Sequence, residues 1–336
     1  ERCQALKEFH QVFEPYKEKI AKAMAPKSQA AILYNLDSIF TEGLISLGLS
    51  GSCMIRKQNR YYKDSLSLMG AYKLCMQNQI QPDFVSKEQV LSGELDKYQI
   101  LLLPYSINLS SDMAKEIEKF VSNGGKVISD GLCGYFTDKA WGAEICPAGG
   151  LDQVFGLHVR SDYRTINEED IILEGRRYEH TAKVIAEKLV LHENAEAVAT
   201  LADGLPIMTK SAYGKGKTVY LGTLFFANAM WNYSADTNRL FKKALDMAGY
   251  HSQILLKGPR EEQNIEVRIL EQEEDKFVFV INHESEHTGV SLSLDLEWEA
   301  EVTDMVTKEQ WQTGERLEKV WNLEPQEVKI LYCFKK

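Results

Sequence analysis

YQILLLPYSINLSSDMAKEIEKFVSNGGKVISDGLCG, residues 98–134, is the stretch that decides the fold. Residues 99–103 are a short continuous apolar run ended by Pro104, the pattern of a strand buried on both faces. Ser110 or Ser111 can cap a following helix, with Glu116 and Glu118 in its early turns. Met113, Ile117, Phe120 and Val121 recur at helical spacing and form its buried face. Asn123-Gly124-Gly125 stops the helix, because glycine reaches the left-handed conformation that a C-cap needs. Residues 126–129 are a second buried strand, and Ser129-Asp130-Gly131-Leu132-Cys133-Gly134 is a tight elbow after it. Strand, helix, strand and elbow in this order make one unit of an α/β domain built on a parallel sheet.

The text on either side extends that unit. Residues 30–34 read as a strand, and residues 61–78 as a helix with Tyr62, Leu66, Met69, Tyr72 and Met76 on one face. Residues 83–86 are a short strand, and 135–180 read as irregular. Strand text returns at 188–192, 197–201, 206–212 and 218–221, with Gly-Lys-Gly-Lys (214–217) as a turn. A helix over 237–248, with Leu240, Phe241, Ala244, Leu245 and Ala248 inward, closes the domain at Gly249. Residues 257–260 read as a linker.

Beyond it the apolar period is two, at Ile265/Val267/Ile269, Phe277/Phe279/Ile281, Val290/Leu292/Leu294/Leu296 and Val328/Ile330/Tyr332. That spacing predicts a small antiparallel β-sandwich. At the other end, Leu6, Phe9, Phe13, Tyr16 and Ile20 predict a helix over 3–24, kinked at Pro15. A chain that opens in mid-helix is expected to continue something longer. The expected organisation is a helical segment (1–26), an α/β domain (27–256) and a β-sandwich (257–336).

Composition narrows the function classes. A net charge of −10 argues against nucleic acid or an anionic membrane as the main partner. No apolar run approaches the ~18 residues of a membrane span. Cys3, Cys53, Cys75, Cys133, Cys146 and Cys333 lack CxxC spacing, which fits reduced thiols and a cytoplasmic location better than a disulfide framework or a zinc site.

Four motifs invite a chemical reading. Cys133 sits near the crest of the elbow, and a nucleophilic cysteine needs a stabilised thiolate with histidine in reach, for which His158 and His180 are the candidates. His283-Glu284-Ser285-Glu286-His287 is a literal HExxH, but zinc chemistry needs it on a helix, and here it lies between two alternating strands as a charged hairpin loop. Gly214-Lys215-Gly216-Lys217-Thr218 ends like a P-loop but opens a strand, so it is a turn. The carboxylate pairs Glu168/Glu169 and Glu261/Glu262 lie in polar text and read as solvated surface. Tyr34, Tyr105, Tyr135, Phe136, Trp141, Trp231 and Tyr233 are placed to stack on sugars, fill a subunit interface or pack the core.

The elbow unit resembles the flavodoxin-like domain of class I glutamine amidotransferases. Their nucleophilic cysteine stands at the elbow, and a histidine with a glutamate two residues on follows a late strand. Here the matching place reads Gly222-Thr223-Leu224-Phe225-Phe226, without either, and strand length puts Gly131 at the nucleophile position. AAILYNLDS (30–38), the Tyr61-Tyr62 helix, residues 98–128 and AYGKGKTVYLGT (212–223) resemble the trimerisation domain of family-42 glycoside hydrolases, the bacterial beta-galactosidases. FVFVINHESEHTGVSL (277–292) looks like their C-terminal domain, and the opening helix like the segment leaving their (β/α)₈ barrel.

The resemblance implies a non-catalytic oligomerisation and accessory region, a homotrimer, and a carbohydrate substrate for a parent enzyme. That parent need not be a galactosidase, since related barrel families attach the same domain. The catalytic glutamates of the family lie on a barrel of about 250 residues, for which this chain has no room. No catalytic, cofactor-binding or metal-ligating residue is therefore assigned, and no cofactor is expected. The alternatives are an amidotransferase-like hydrolase using Cys133 and a carbohydrate-binding protein.

Overall fold

The computed structural model describes residues 2–47, 63–232, 234–258 and 264–336. Cys53, Tyr61, Tyr62, Tyr233, Pro259, Arg260, Glu261 and Glu262 lie outside these residues. The chain divides into two compact units, one made of Ser28–Cys75 and Gln81–His251, the other of Glu1–Lys27, Met76–Ile80 and Ser252–Lys336.

The N-terminal helix is broken as its proline requires. It runs as α1 (Arg2–Phe13), a 3-10 turn (Glu14–Tyr16) and α2 (Lys17–Ile20), with Pro15 inside the turn.

The larger unit opens with β1 (Ala30–Leu33), α3 (Leu36–Leu47), α4 (Lys63–Gln77) and β2 (Asp83–Val85). It continues with α5 (Lys87–Leu91), β3 (Ile100–Leu103), α6 (Ser111–Ser122) and β4 (Lys126–Ser129). After α7 (Leu151–Phe155) come β5 (Leu157–Leu173), β6 (Arg176–Leu191), β7 (Ala195–Thr200), β8 (Pro206–Tyr213) and β9 (Gly216–Leu221). The helices α8 (Phe225–Trp231) and α9 (Ala235–Ala248) end it.

Among the described residues one mixed sheet forms, ordered β2-β1-β3-β4-β9-β8-β7-β5-β6. The first five strands of that order are parallel and the rest join antiparallel. Helix α6 follows its sequence signals: the Ser110 hydroxyl accepts the Met113 N–H at 3.3 Å, and Met113, Ile117, Phe120 and Val121 are buried.

Three expectations change here. Residues 157–180, within the stretch expected to be irregular, lie instead in a long hairpin, β5–β6 (157–191), whose pairing shifts register at three places and so erases the alternation a strand normally displays. The segment between β1 and α4 holds the unforeseen helix α3. In α4 the buried face is Ser67, Gly70, Ala71, Leu74 and Cys75, not the face of Met69 and Tyr72. The cause is close approach: a Cβ on Gly70 would lie 1.8 Å from the Phe226 carbonyl oxygen of α8. Small residues face the neighbouring helix and the large apolar ones turn outward.

The smaller unit contains β10 (Ile254–Lys257), β11 (Ile265–Gln272), β12 (Asp275–Asn282), β13 (Thr288–Asp295), β14 (Ala300–Asp304), β15 (Gln310–Thr313), β16 (Arg316–Leu323) and β17 (Val328–Lys335). They form two antiparallel sheets, β10-β13-β16 and β11-β12-β17-β14-β15, which contribute to one core through residues such as Val278, Val280, Leu292 and Leu294. Lys257, expected in a linker, pairs with Ser291. Strands β12 and β13 belong to different sheets, so the loop between them is a crossover rather than a hairpin. Phe277, Ile330 and Tyr332 face away from the shared core and pack with Phe13, Tyr16 and Ile20 of the N-terminal segment.

Replacing Gly70 by alanine tests the α4–α8 contact. The added methyl meets backbone that must move, at a cost of about 1–3 kcal/mol that outweighs the gain in helix propensity of roughly 1 kcal/mol. A thermal melt of Gly70→Ala should show a lower Tm; an unchanged or raised Tm would mean that α4 is not held at this distance.

Candidate functional site: a closed elbow and two open apolar faces

The elbow stands at the C-terminal end of β4, the edge over which open α/β sheets carry their ligand loops. The Gly131 N–H donates to the Thr223 carbonyl at 2.8 Å, and Leu132 takes the left-handed conformation with φ 66°. A Cβ on Gly131 would lie 3.0 Å from the Thr223 nitrogen and 3.1 Å from a carboxylate oxygen of Glu187. The space in front of the elbow is thus filled by backbone and by a glutamate.

Glu187 arrives on β6, which is tied to the end of β9. Its own N–H donates to the Gly222 carbonyl at 2.9 Å, and the Lys183 N–H donates to the Thr223 hydroxyl at 3.1 Å. Oε1 of Glu187 accepts the Leu132 N–H at 3.1 Å, and Oε2 accepts the Tyr220 hydroxyl at 2.9 Å. The buried Tyr135 hydroxyl neighbours the same carboxylate without meeting hydrogen-bond geometry. Loss of hydration outweighs these hydrogen bonds and pushes the Glu187 carboxyl up to about 7. Asp130 is also buried and also raised, again by desolvation, although the Tyr105 N–H donates to it at 2.7 Å. Nothing in the sequence reading pointed to Glu187; its signal is an acidic residue within the apolar run Val184–Leu191 of the strand, at Val-Ile-Ala-Glu-Lys-Leu-Val-Leu.

The residues expected around a nucleophile are not brought together. Cys133 is fully buried in the core, and burial pushes its thiol up to about 12, away from the thiolate that nucleophilic chemistry needs. Leu132 and Leu224 pack in one apolar cluster. His158 pairs with His192 at 3.1 Å, and His180 lies 3.3 Å from Glu168 on the surface.

The remaining motifs take structural places. Glu168 is bound by Lys183 at 2.5 Å and Glu169 by Arg164 at 2.8 Å. His283 of the HExxH loop bonds Glu266 at 2.9 Å, and the Glu284 carboxylate accepts the Asn264 N–H at 2.8 Å. Among the described residues no group of three or more metal-ligating side chains gathers. Gly214 and Lys215 form the tip of the β8–β9 hairpin. Of the aromatic candidates, Tyr105 is buried and donates to Glu42 at 2.6 Å, Phe136 and Trp231 pack beside it, and Trp141 is exposed.

Two other surfaces are unusual. Helix α3 buries its polar side: Asn35, just before it, donates to the Asn108 carbonyl at 2.7 Å, Ser38 accepts the Asn108 N–H at 3.0 Å, and Thr41 accepts the Asn108 amide at 2.9 Å. Its apolar side is outward, with Leu36 at 46% exposure, Phe40 at 67% and Leu44 at 65%. Along α4 and β2, Leu68, Met69, Tyr72, Phe84 and Met230 line an open groove of about 280 Å³ with Lys73 at its edge. Tyr72 stacks on Phe84 at 5.7 Å, and both Met69 and Phe84 are exposed.

Glu187 gives the fold a pH signature. A carboxyl raised in the folded state binds its proton more tightly there than in the unfolded chain, so folding is favoured below the ordinary value near 4.5 and that advantage is lost as pH rises to about 7. The loss amounts to roughly 3 kcal/mol. Denaturant titrations of wild type and Glu187→Gln between these limits should diverge, the wild type losing stability relative to the variant as pH rises. Parallel curves would show that the Glu187 carboxyl keeps its ordinary value in the fold.

Sequence and structure comparisons agree on a relationship. Beta-galactosidase BgaB of Geobacillus sp. is 26% identical over 230 residues, covering 67% of this chain and 31% of that protein. The crystal structure of beta-galactosidase from Bacillus circulans sp. alkalophilus superposes with a TM-score of 0.67 at 19% identity, over 97% of this chain and 43% of that one. The same fold recurs in alpha-L-fucosidase isoenzyme 2 from Paenibacillus thiaminolyticus, with a TM-score of 0.65 at 13% identity, over 96% of this chain and 51% of that one. This chain spans about a third of the length of the curated relatives it matches. Residues 50–250 match the family described as the beta-galactosidase trimerisation domain, and the chain belongs to that family.

Proposed function

We propose that this chain is the non-catalytic oligomerisation and accessory region of a beta-galactosidase-like glycoside hydrolase. The observation that carries this reading is the closed elbow, with Glu187 packed against Gly131 at the nucleophile position and Gly222-Thr223-Leu224-Phe225-Phe226 where an amidotransferase-like centre would hold its histidine and glutamate. On this reading the larger unit is an amidotransferase-like, flavodoxin-like domain that has kept its framework without the chemistry. The smaller unit is the C-terminal β-sandwich of the same enzymes, preceded in the chain by a helical segment (1–26) that leads from a barrel. Hydrolysis of the carbohydrate substrate belongs to the part of the relatives that this chain does not match, and the oligomer is a trimer. The free thiols of Cys75, Cys133, Cys146 and Cys333 support a reducing, cytoplasmic setting. Among the described residues no helix is long and apolar enough to cross a membrane.

Thiol mapping separates this reading from a cysteine hydrolase. Native chain treated with iodoacetamide at neutral pH should be alkylated at the exposed Cys3, while Cys133 stays unmodified until denaturant is added. The same preparation should release no product from a chromogenic galactoside. Stoichiometric alkylation of native Cys133, or turnover of the galactoside, would contradict the proposal.

A further inference from the structure

Among the described residues Trp141 is the most exposed aromatic side chain, at 73%. It is held by its backbone rather than by its ring. The Thr137 N–H donates to the Trp141 carbonyl at 2.9 Å and the Ala140 N–H to the Thr137 carbonyl at 2.7 Å, which closes a tight turn over residues 137–141. Ala140 takes the left-handed conformation in it, with φ 54°. Both ends of the turn are anchored. The Phe136 N–H donates to the Ile107 carbonyl at 2.8 Å, and the Ala143 N–H donates to the Tyr135 carbonyl at 2.9 Å. A large ring presented on a fixed backbone loses little freedom when a ligand meets it. A Cβ on Gly142 would meet nothing within 4 Å, so the space beside the turn is open.

The neighbours of the ring select its partner. Asp138, Lys139 and Glu144 are exposed, and among the described residues none of them has a hydrogen-bond or ion-pair partner. A protein surface closing over Trp141 would strip water from these unsatisfied charges, and the centres of protein interfaces are poor in such groups. A pyranose makes the opposite demand. One face of the sugar is a patch of C–H groups that stacks on an indole, while its rim carries hydroxyls that donate to carboxylates and accept from an ammonium. The rim stays wet, so no charge has to be buried. In a galactosyl unit the axial hydroxyl on the fourth carbon gathers three adjacent C–H groups on one face, which enlarges the patch. At this exposure the ring can lie along a sugar chain but cannot enclose a small molecule.

We propose that the Trp141 turn is a surface binding site for galactosyl chains. The indole stacks on the C–H face of one unit, Asp138 and Glu144 accept from its hydroxyls, and Lys139 donates to them. The choice of a galactosyl unit over another pyranose rests on the glycoside hydrolase reading above; the stacking site itself does not.

Isothermal titration calorimetry of the 336-residue chain with β-linked galactotetraose tests the site, with cellotetraose as the epimeric comparison. Galactotetraose should give saturable heat and bind more tightly than cellotetraose. Trp141→Ala should lose ~30-fold or more in affinity, the scale of a truncated aromatic anchor, and Trp141→Phe should keep part of it. No saturable heat, or heat unchanged in Trp141→Ala, would overturn the site. Equal binding of cellotetraose would overturn its assignment to galactosyl chains. Native mass spectra taken alongside keep this proposal and the oligomerisation reading apart, because Trp141→Ala should assemble as the wild type does. A variant that falls apart into single chains would place Trp141 in a subunit contact and overturn the proposal. Saturable, Trp141-dependent binding by a chain that never assembles would support the site and contradict the oligomerisation reading.

Discussion

The hydrogen bond from the Leu132 N–H to the Glu187 carboxylate, 3.1 Å long, joins an elbow and a strand that are 55 residues apart in sequence. It matters because the carboxylate is cut off from water, and such a group persists in a fold only where donors meet it or where it keeps its proton. The Leu132 N–H and the Tyr220 hydroxyl meet it, and the Glu187 N–H donates to the Gly222 carbonyl, so the elbow after β4, the end of β9 and the long β5–β6 hairpin are tied together. The antiparallel half of the nine-stranded sheet is thereby pinned over the strand ends of the parallel half. A ligand or substrate would need that space.

Filling the strand ends has a counterpart on the helices. The larger unit has more large apolar side chains than its own core takes up. Its α3 uses asparagine, serine and threonine to hold the 105–108 loop, and its α4 uses glycine and alanine to approach α8. Phe40, Leu44, Met69 and Phe84 are what remains outside. A domain whose inner edge is closed and whose outer helices are apolar is suited to holding other protein rather than a small molecule.

Much of this was legible in the residues. The capping serine and terminal glycines of α6, the buried runs of β3 and β4, and the proline break in the first helix each act through local chemistry that survives in any context. The HExxH lies between two strands, as the period-two alternation of its neighbours predicts, in a loop that crosses from one sheet to the other rather than a hairpin. What could not be read was long-range. The bulges of β5–β6 hide its strand character, and the partner that makes Glu187 a buried group lies far away in the chain. Helical periodicity shows that α4 has an apolar side but assumes that the core consumes it. At Met69 and Tyr72 that assumption fails, because Gly70 sets the helix too close to α8 for large side chains between them.

On the oligomerisation reading proposed above, the fold has been kept for assembly rather than chemistry. Native mass spectrometry of the unmodified chain at micromolar concentration tests it most directly. The expected spectrum is dominated by a species of three times the single-chain mass, with no adduct on Cys133. A spectrum showing only the single chain across the accessible concentrations would contradict it.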